Sequence, residues 1–169
     1  MMAYRIAYCK INYPLAYYAS YFSIRASAFS YELMCQGQEH LERIMADYRS
    51  RSDTLSKKEQ DSYKDMKVVQ EMYVRGYGFV PIDIFTADSR NFRIEDDTRL
   101  MPSLRSIDGL GDKAADAIVE AAKDGPFLSK DDFRERTKVS KTITDLMDSL
   151  HLLGDLPESN QISLFDLVI

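Results

Sequence analysis

The chain has 169 residues, 45% of them hydrophobic and 29% charged, which is typical of a globular protein with one core or two small ones. Its net charge of −5 argues against nucleic-acid binding through a broad basic surface. Two cysteines without a Cys-x-x-Cys pair argue against a disulfide framework or zinc site, and the sequence contains neither a membrane-spanning apolar run nor a signal-peptide pattern. We therefore expect free thiols and a cytoplasmic location.

Helices are predicted for most of the first 76 residues. The predicted helices cover 2–11, 14–28, a short segment from Ser30 to Gly37, 39–48, and a long segment from Ser56 to Gly76. Ser56 and Glu59 have the spacing of a capping box, which predicts the start of the long helix. Tyrosines alternate with basic residues near the start of the chain, a pattern that can line a nucleic-acid channel. A helical core with tyrosine hydroxyls at its rim is the favoured interpretation.

A small β insert is predicted from about Gly76 to Ser103. Phe79–Thr86 is rich in β-branched and aromatic residues, and Pro81 places this strand at a sheet edge or a strand start. Residues 92–94 and 99–101 flank a polar turn and predict a β-hairpin.

The next motif has the pattern of a phosphate-binding turn. Ile107-Asp-Gly-Leu-Gly111 precedes a strongly helical segment from Asp112 to Ala122. Two glycines around one apolar residue allow a tight turn, and the N–H groups of the turn and the new helix then point at one place. Lys113 lies in the first helical turn, where it can add positive charge. The alternative is a turn that binds nothing, since five acidic residues lie within 107–124.

A second pair of helices follows this motif. Ser129 and Ser140 are predicted helix caps, and Phe133, Val139 and Leu153 belong to the predicted buried set. The turn between the two helices, residues 136–140, contains no glycine. We therefore interpret it as a degenerate second hairpin that serves packing.

The end of the sequence predicts an extended peptide. Pro157 and the polar residues after it stop a helix before Gln161, Ile162, Ser163, Leu164 and Phe165. Two adjacent large apolar residues need a pocket, and a glutamine amide can set their register within it. The alternative is a tail that folds back on its own core.

No catalytic or metal-binding residues are predicted. The sequence contains no Walker glycine loop, no His-Glu-x-x-His and no nucleophile elbow. The adjacent pairs Asp96–Asp97 and Asp131–Asp132 are better explained by turn chemistry and helix capping than by two-metal catalysis. His40 and His151 are interpreted as surface residues.

These motifs resemble, in the same order, parts of the bacterial replicative DNA polymerase III alpha subunit of the PolC type. Residues 3–22 resemble the end of the fingers domain, and Val80–Ile84 resembles the strand after it. Residues 106–133 resemble its helix-hairpin-helix region, and 153–165 resembles its sliding-clamp-binding terminus, usually Gln-Leu-Ser/Asp-Leu-Phe, with Ile162 in place of the leucine.

The resemblance implies a mainly α fold with a small β insert (α+β), in four divisions. These are 1–55, the helical end of the fingers; 56–103, a long helix with the β insert; 104–154, the duplex-binding helix-hairpin-helix region; and 155–169, the clamp-binding tail. Ile107, Gly109, Leu110, Gly111 and Lys113 would contact the backbone of primer-template DNA, and residues 161–165 would bind the sliding clamp (beta).

The resemblance also implies that the catalytic aspartates and their Mg²⁺ belong to a palm domain outside this sequence. The segment would then have no cofactor of its own, and it would not polymerise DNA without the remainder of the polymerase and replisome. Two alternatives remain open: a free-standing helix-hairpin-helix scaffold for DNA, and a protein-interaction scaffold without DNA contact.

Overall fold

The fold, obtained as a computed structural model, is described for residues 2–159 and is built mainly from helices. The helices are α1 Met2–Asn12, α2 Pro14–Ile24, α3 Tyr31–Met34, α4 Gln38–Ser50, α5 Lys57–Val74, α6 Asp112–Lys123, α7 Lys130–Thr137 and α8 Lys141–Ser149. Two 3₁₀ turns cover Ser52–Thr54 and Leu104–Ser106. Together with the small sheet, this confirms the predicted mainly α fold. Within this range no helix is long and apolar enough to cross a membrane.

Three short strands form the small sheet: β1 Gly78–Phe79, β2 Arg93–Ile94 and β3 Arg99–Met101. The central strand β3 pairs in parallel with β1 and antiparallel with β2, with Ile94 opposite Leu100. The predicted hairpin of 92–94 and 99–101 is therefore confirmed.

The prediction of a strand over Phe79–Thr86 was wrong beyond its first residue. Pro81 has no N–H to donate to a ladder. The carboxylate of Asp83 accepts a hydrogen bond from the N–H of Phe85 and another from the hydroxyl of Thr86, which forms a turn. Ile82 and Ile84 are nevertheless buried, so the apolar pattern here reflects core packing rather than strand pairing.

Two hydrophobic cores organise the molecule. The first core joins α2, α4 and α5 to the sheet and includes Tyr18, Leu41, Met66 and Leu100, all fully buried. The second core joins the turn after Leu104 to α6, α7 and α8 through Ile107, Ile118 and Phe133. The predicted divisions 1–55 and 56–103 thus contribute to one common core.

Local capping chemistry explains where several helices begin. Ser56 accepts from the N–H of Glu59 while the Glu59 carboxylate accepts from the N–H of Ser56, which confirms the predicted capping box. Ser30, Ser129 and Ser140 cap α3, α7 and α8 in the same way, each accepting from the N–H three residues on. At the other end of α5, Gly76 adopts a φ of +83°, which favours glycine.

Candidate nucleic-acid interface

The glycine motif forms a tight turn at the start of α6. The N–H of Leu110 donates to the carbonyl of Ile107 at 3.1 Å, and Gly109 adopts a φ of +82°. A side chain at Gly109 would strain this backbone, and a Cβ there would lie 2.9 Å from Cδ1 of Ile143 in α8. The turn is therefore shaped both by its own glycine and by close packing on α8.

The apolar residues of the turn point into the protein. Ile107 and Leu110 are 1% and 5% exposed, so only their backbone groups can reach a ligand. This arrangement leaves the glycines at the surface: Gly109 and Gly111 are both exposed.

The N-terminus of α6 begins directly at this exposed turn. Gly111 is the N-cap residue, with φ −76° and ψ 164°, and no side chain caps the helix. The first N–H groups of a helix have no partner within it, and the helix dipole is positive at this end. Lys113 is exposed in the first turn. These groups form the donor set that phosphate oxygens accept from.

A short 3₁₀ turn precedes the glycine turn and α6. This turn, Leu104–Ser106, takes the place of the first helix of a helix-hairpin-helix. The chain leaves β3 at Met101 and reaches Pro102 immediately, which leaves no room for a longer helix before the glycine turn. The hairpin itself is retained because its geometry depends on residues 107–111.

Arginines from other parts of the fold pair with the acidic residues of α6. Arg90 donates to Asp116 at 2.7 Å, and Arg105 lies 3.3 Å from Asp112. A hydrogen bond from Ser89, together with Arg90, lowers the pKa of Asp116. Asp108 of the turn accepts from the hydroxyl of Ser30 at 2.5 Å. Arg90 and Arg105 thus partly neutralise the acidic setting read from the sequence.

The second helical pair repeats the backbone of the first turn without glycine. Lys138 adopts a φ of 58°, Val139 is buried, and Ser140 is the extended N-cap of α8. Lys138 and Gly109 both have a positive φ, Val139 and Leu110 are both buried, and Ser140 and Gly111 are both extended N-cap residues. The hairpin predicted between residues 136 and 140 is therefore present, with a lysine in the left-handed conformation.

Arg136 has a packing role that the sequence did not indicate. Its guanidinium donates to the carbonyls of Pro126 and Gly125, both at 3.1 Å, and also to that of Ala121 at the end of α6. It also lies over the ring of Phe127, 4.5 Å from the centroid. The mixed charged surface predicted here thus includes a residue that caps the C-terminus of α6.

The remaining predicted residues fall in two groups. Gln161, Ile162, Ser163, Leu164 and Phe165 lie outside the described residues. Asp96 lies in a turn, where the N–H of Thr98 and then Arg99 lower its pKa to about 2. Asp132 lies at the start of α7 and accepts from the N–H of Leu128. Between residues 2 and 159, no group of His, Cys, Asp and Glu is placed to hold a metal ion.

Sequence reasoning missed three contacts with the hairpin or α6, which are made by Ser30, Arg90 and Arg105. Ser30 and Arg90 are distant from their partners in sequence, at separations of 78 and 26 residues. No local pattern signals such contacts, whereas the spacing of Arg105 to Asp112 is short enough to have suggested a pair.

Comparison with known proteins agrees with this geometry. A family model described as the helix-hairpin-helix motif matches residues 76–161. The "DNA polymerase III PolC-type" of Clostridium perfringens is 42% identical over 165 residues, covering 98% of this chain and 11% of that protein. Those of Lacticaseibacillus paracasei and Streptococcus sanguinis are 42% and 41% identical, each covering 98% of this chain. The resemblance to PolC-type polymerases is confirmed, and the chain spans 11–12% of the length of these relatives.

Proposed function

The chain belongs to the helix-hairpin-helix family, and we propose that it is the duplex-contacting and clamp-tethering part of a replicative DNA polymerase of the PolC type. One observation carries the DNA contact: the turn of Gly109 and Gly111 leaves the uncapped N-terminus of α6 exposed beside Lys113. Its donors bind phosphate oxygens through backbone groups, which suits binding without base specificity. Ile107 and Leu110 hold this backbone in place from inside.

The clamp contact is proposed from the tail motif. Residues 161–165 carry the glutamine and the leucine–phenylalanine pair that a hydrophobic pocket on a sliding clamp would receive. A weak peptide contact is enough for this role, because tethering raises the effective concentration of the polymerase at its template. In this proposal the parent enzyme acts in the bacterial cytoplasm at the nucleoid, with the replisome as its partner and Mg²⁺ at a site outside this chain.

Duplex titration tests the DNA contact. A Cβ added at Gly111 has no neighbouring atom within 4 Å, and the φ of this residue is one that alanine adopts readily. The free energy of unfolding of Gly111→Ala should therefore change by less than about 1 kcal/mol. The added methyl group obstructs the approach of a phosphate, and duplex affinity should fall at least about tenfold. Gly78→Ala, where a Cβ makes only an ordinary contact with Tyr73, is the matched control. Unchanged affinity in Gly111→Ala would contradict the proposed contact.

Gly109→Ala provides a contrasting variant. Its positive φ and the 2.9 Å approach to Ile143 should cost about 1–3 kcal/mol of stability. Its loss of DNA binding would therefore be accompanied by a lower unfolding midpoint, unlike that of Gly111→Ala.

A titration of a bacterial sliding clamp tests the tail. We expect the chain to bind the clamp and the Leu164→Ala/Phe165→Ala double variant not to bind. Equal binding by both would remove the clamp from the proposal and leave the duplex contact. A free-standing scaffold is the alternative function.

A polymerase assay tests the assignment of the catalytic residues to another part of the polymerase. Incorporation of dNTPs by the chain alone would contradict that assignment.

A further inference from the structure

A cleft of about 520 Å³ opens beside the hairpin turn. Residues 107–112 of the hairpin and residues 27–30 of the α2–α3 loop line it. The first two turns of α5 contribute Lys58 and Ser62. The cleft therefore joins the proposed phosphate-binding turn to a helix that belongs to the other core.

Ser62 has a buried hydroxyl that lacks a partner. The residue is 5% exposed, and its Oγ has no hydrogen-bond partner among the described residues. Buried polar groups are normally paired, so an unpaired hydroxyl lining a cleft points to a ligand that supplies the missing bond.

One basic side chain that lines the cleft, that of Lys58, is available to an anionic ligand. Each carboxylate that lines it already has a partner: Glu59 accepts from the N–H of Ser56, Asp108 from Ser30, and Asp112 pairs with Arg105. Lys58 is exposed and forms no ion pair within residues 2–159. The ammonium group of Lys58 is thus free to pair with an anionic ligand, while Arg105 offsets one of the three carboxylates that line the cleft.

We propose that this cleft binds one phosphate of the DNA backbone, with Lys58 and Ser62 as contacts in addition to the hairpin. The inference rests on the proposed function, and it extends the DNA interface from α6 to α5. The Lys58 ammonium and the Ser62 hydroxyl donate to the phosphate oxygens, and the N–H groups at the start of α6 donate beside them. DNA would then contact α6, which belongs to one hydrophobic core, and α5, which belongs to the other.

A salt series with a fluorescently labelled duplex tests Lys58. Loss of one phosphate contact makes the negative slope of log K against log salt shallower by about 0.9, equivalent to about eightfold in affinity at ~0.1 M salt. We expect this change for Lys58→Ala. Lys57→Ala is the matched control, because Lys57 is also exposed but does not line the cleft. If both variants change the slope equally, or if neither changes it, the assignment of Lys58 is overturned.

Ser62→Ala tests the buried hydroxyl separately from overall charge. Removing a hydroxyl that has no partner should leave the unfolding midpoint unchanged or raise it, while duplex affinity falls about two- to tenfold. A merely structural serine would show no loss of affinity. That result would overturn its role as a ligand contact.

The outcomes separate this inference from the proposed function. If Gly111→Ala weakens duplex binding while Lys58→Ala and Ser62→Ala do not, the cleft contact is wrong and the hairpin contact stands. If the unaltered chain does not bind duplex DNA, both are wrong. A titration with inorganic phosphate is the second measurement. If Lys58→Ala abolishes phosphate binding but leaves duplex binding intact, the site binds a free phosphate rather than DNA.

Discussion

At the scale of single residues, Asp65 is a buried carboxylate that holds the loop beside the cleft. It is 4% exposed, and it accepts hydrogen bonds from the N–H of Ala28 at 3.1 Å and from the hydroxyl of Tyr21 at 3.5 Å. Burial raises its pKa, although these two hydrogen bonds oppose the shift. The loop of residues 27–30 is thus anchored by a group whose charged form is costly to bury.

This cost predicts a pH dependence that Asp65→Asn removes. Because the pKa is raised in the folded state, the folded protein binds the proton more tightly than the unfolded chain does. Stability relative to Asp65→Asn should therefore rise as the pH falls from neutral through the raised pKa, and level off below about 3.8. Denaturant unfolding of both proteins across this range measures the difference.

A difference that stays constant with pH would contradict the raised pKa. Asp65→Ala is the control for the hydrogen bonds, because it leaves the N–H of Ala28 without its acceptor. We expect it to cost about 1–3 kcal/mol at neutral pH, while Asp65→Asn retains an oxygen acceptor and loses less.

At the scale of elements, the two hairpin turns each need one residue with a positive φ, and different residue types supply it. Gly109 supplies the positive φ in the first turn, and Lys138 does so in the second. An L-residue in this conformation costs about 1–2 kcal/mol, whereas glycine adopts it freely but loses more entropy on folding. The first turn also needs glycine for its approach to Ile143, a constraint that the second turn lacks.

Lys138→Gly should therefore stabilise the protein by about 0.5–1 kcal/mol, the strain relieved less the added entropy cost. Lys141→Gly is the matched control, because Lys141 is also exposed but helical, and glycine there should destabilise by up to about 1 kcal/mol. Chemical denaturation of both variants measures the two effects. Destabilisation of both would show that strain at Lys138 is negligible.

At the scale of the whole molecule, the two N-terminal helices present an apolar face. Ile6 and Tyr13 line a groove between α1 and α2 and are 47% and 60% exposed, and Ile24, also lining it, is 79% exposed. The helix α1 is held to α5 by the ion pair of Lys10 and Glu71 at 2.6 Å rather than by buried side chains. Exposed apolar surface of this kind promotes association.

The isolated chain should therefore self-associate as its concentration rises. Replacing Ile6 and Ile24 with serine should shift the equilibrium to the monomer, as measured by sedimentation velocity, with little dependence on salt because the contact is apolar. Phe85→Ser/Leu128→Ser is the control, since these exposed apolar residues lie outside the groove. A chain that stays monomeric at all concentrations would contradict the prediction.

The sequence by itself determined the fold class and most of the local elements. Helix caps at Ser56, Ser129 and Ser140 and the glycine turn of 107–111 were predicted correctly, because each depends on residues within three or four positions. The ordered motifs also indicated the PolC resemblance. The strand predicted over Phe79–Thr86 failed because apolar residues that pack in a core resemble those that pair in a sheet.

Only the tertiary structure decided the surroundings of the candidate site. Arg90 and Asp116, and Ser30 and Asp108, are separated by 26 and 78 residues and meet only after folding. The cleft that places Lys58 and Ser62 beside the hairpin arises in the same way, from elements of two cores. Contacts between distant residues depend on how the elements pack, and no periodicity or spacing within a single segment encodes that packing.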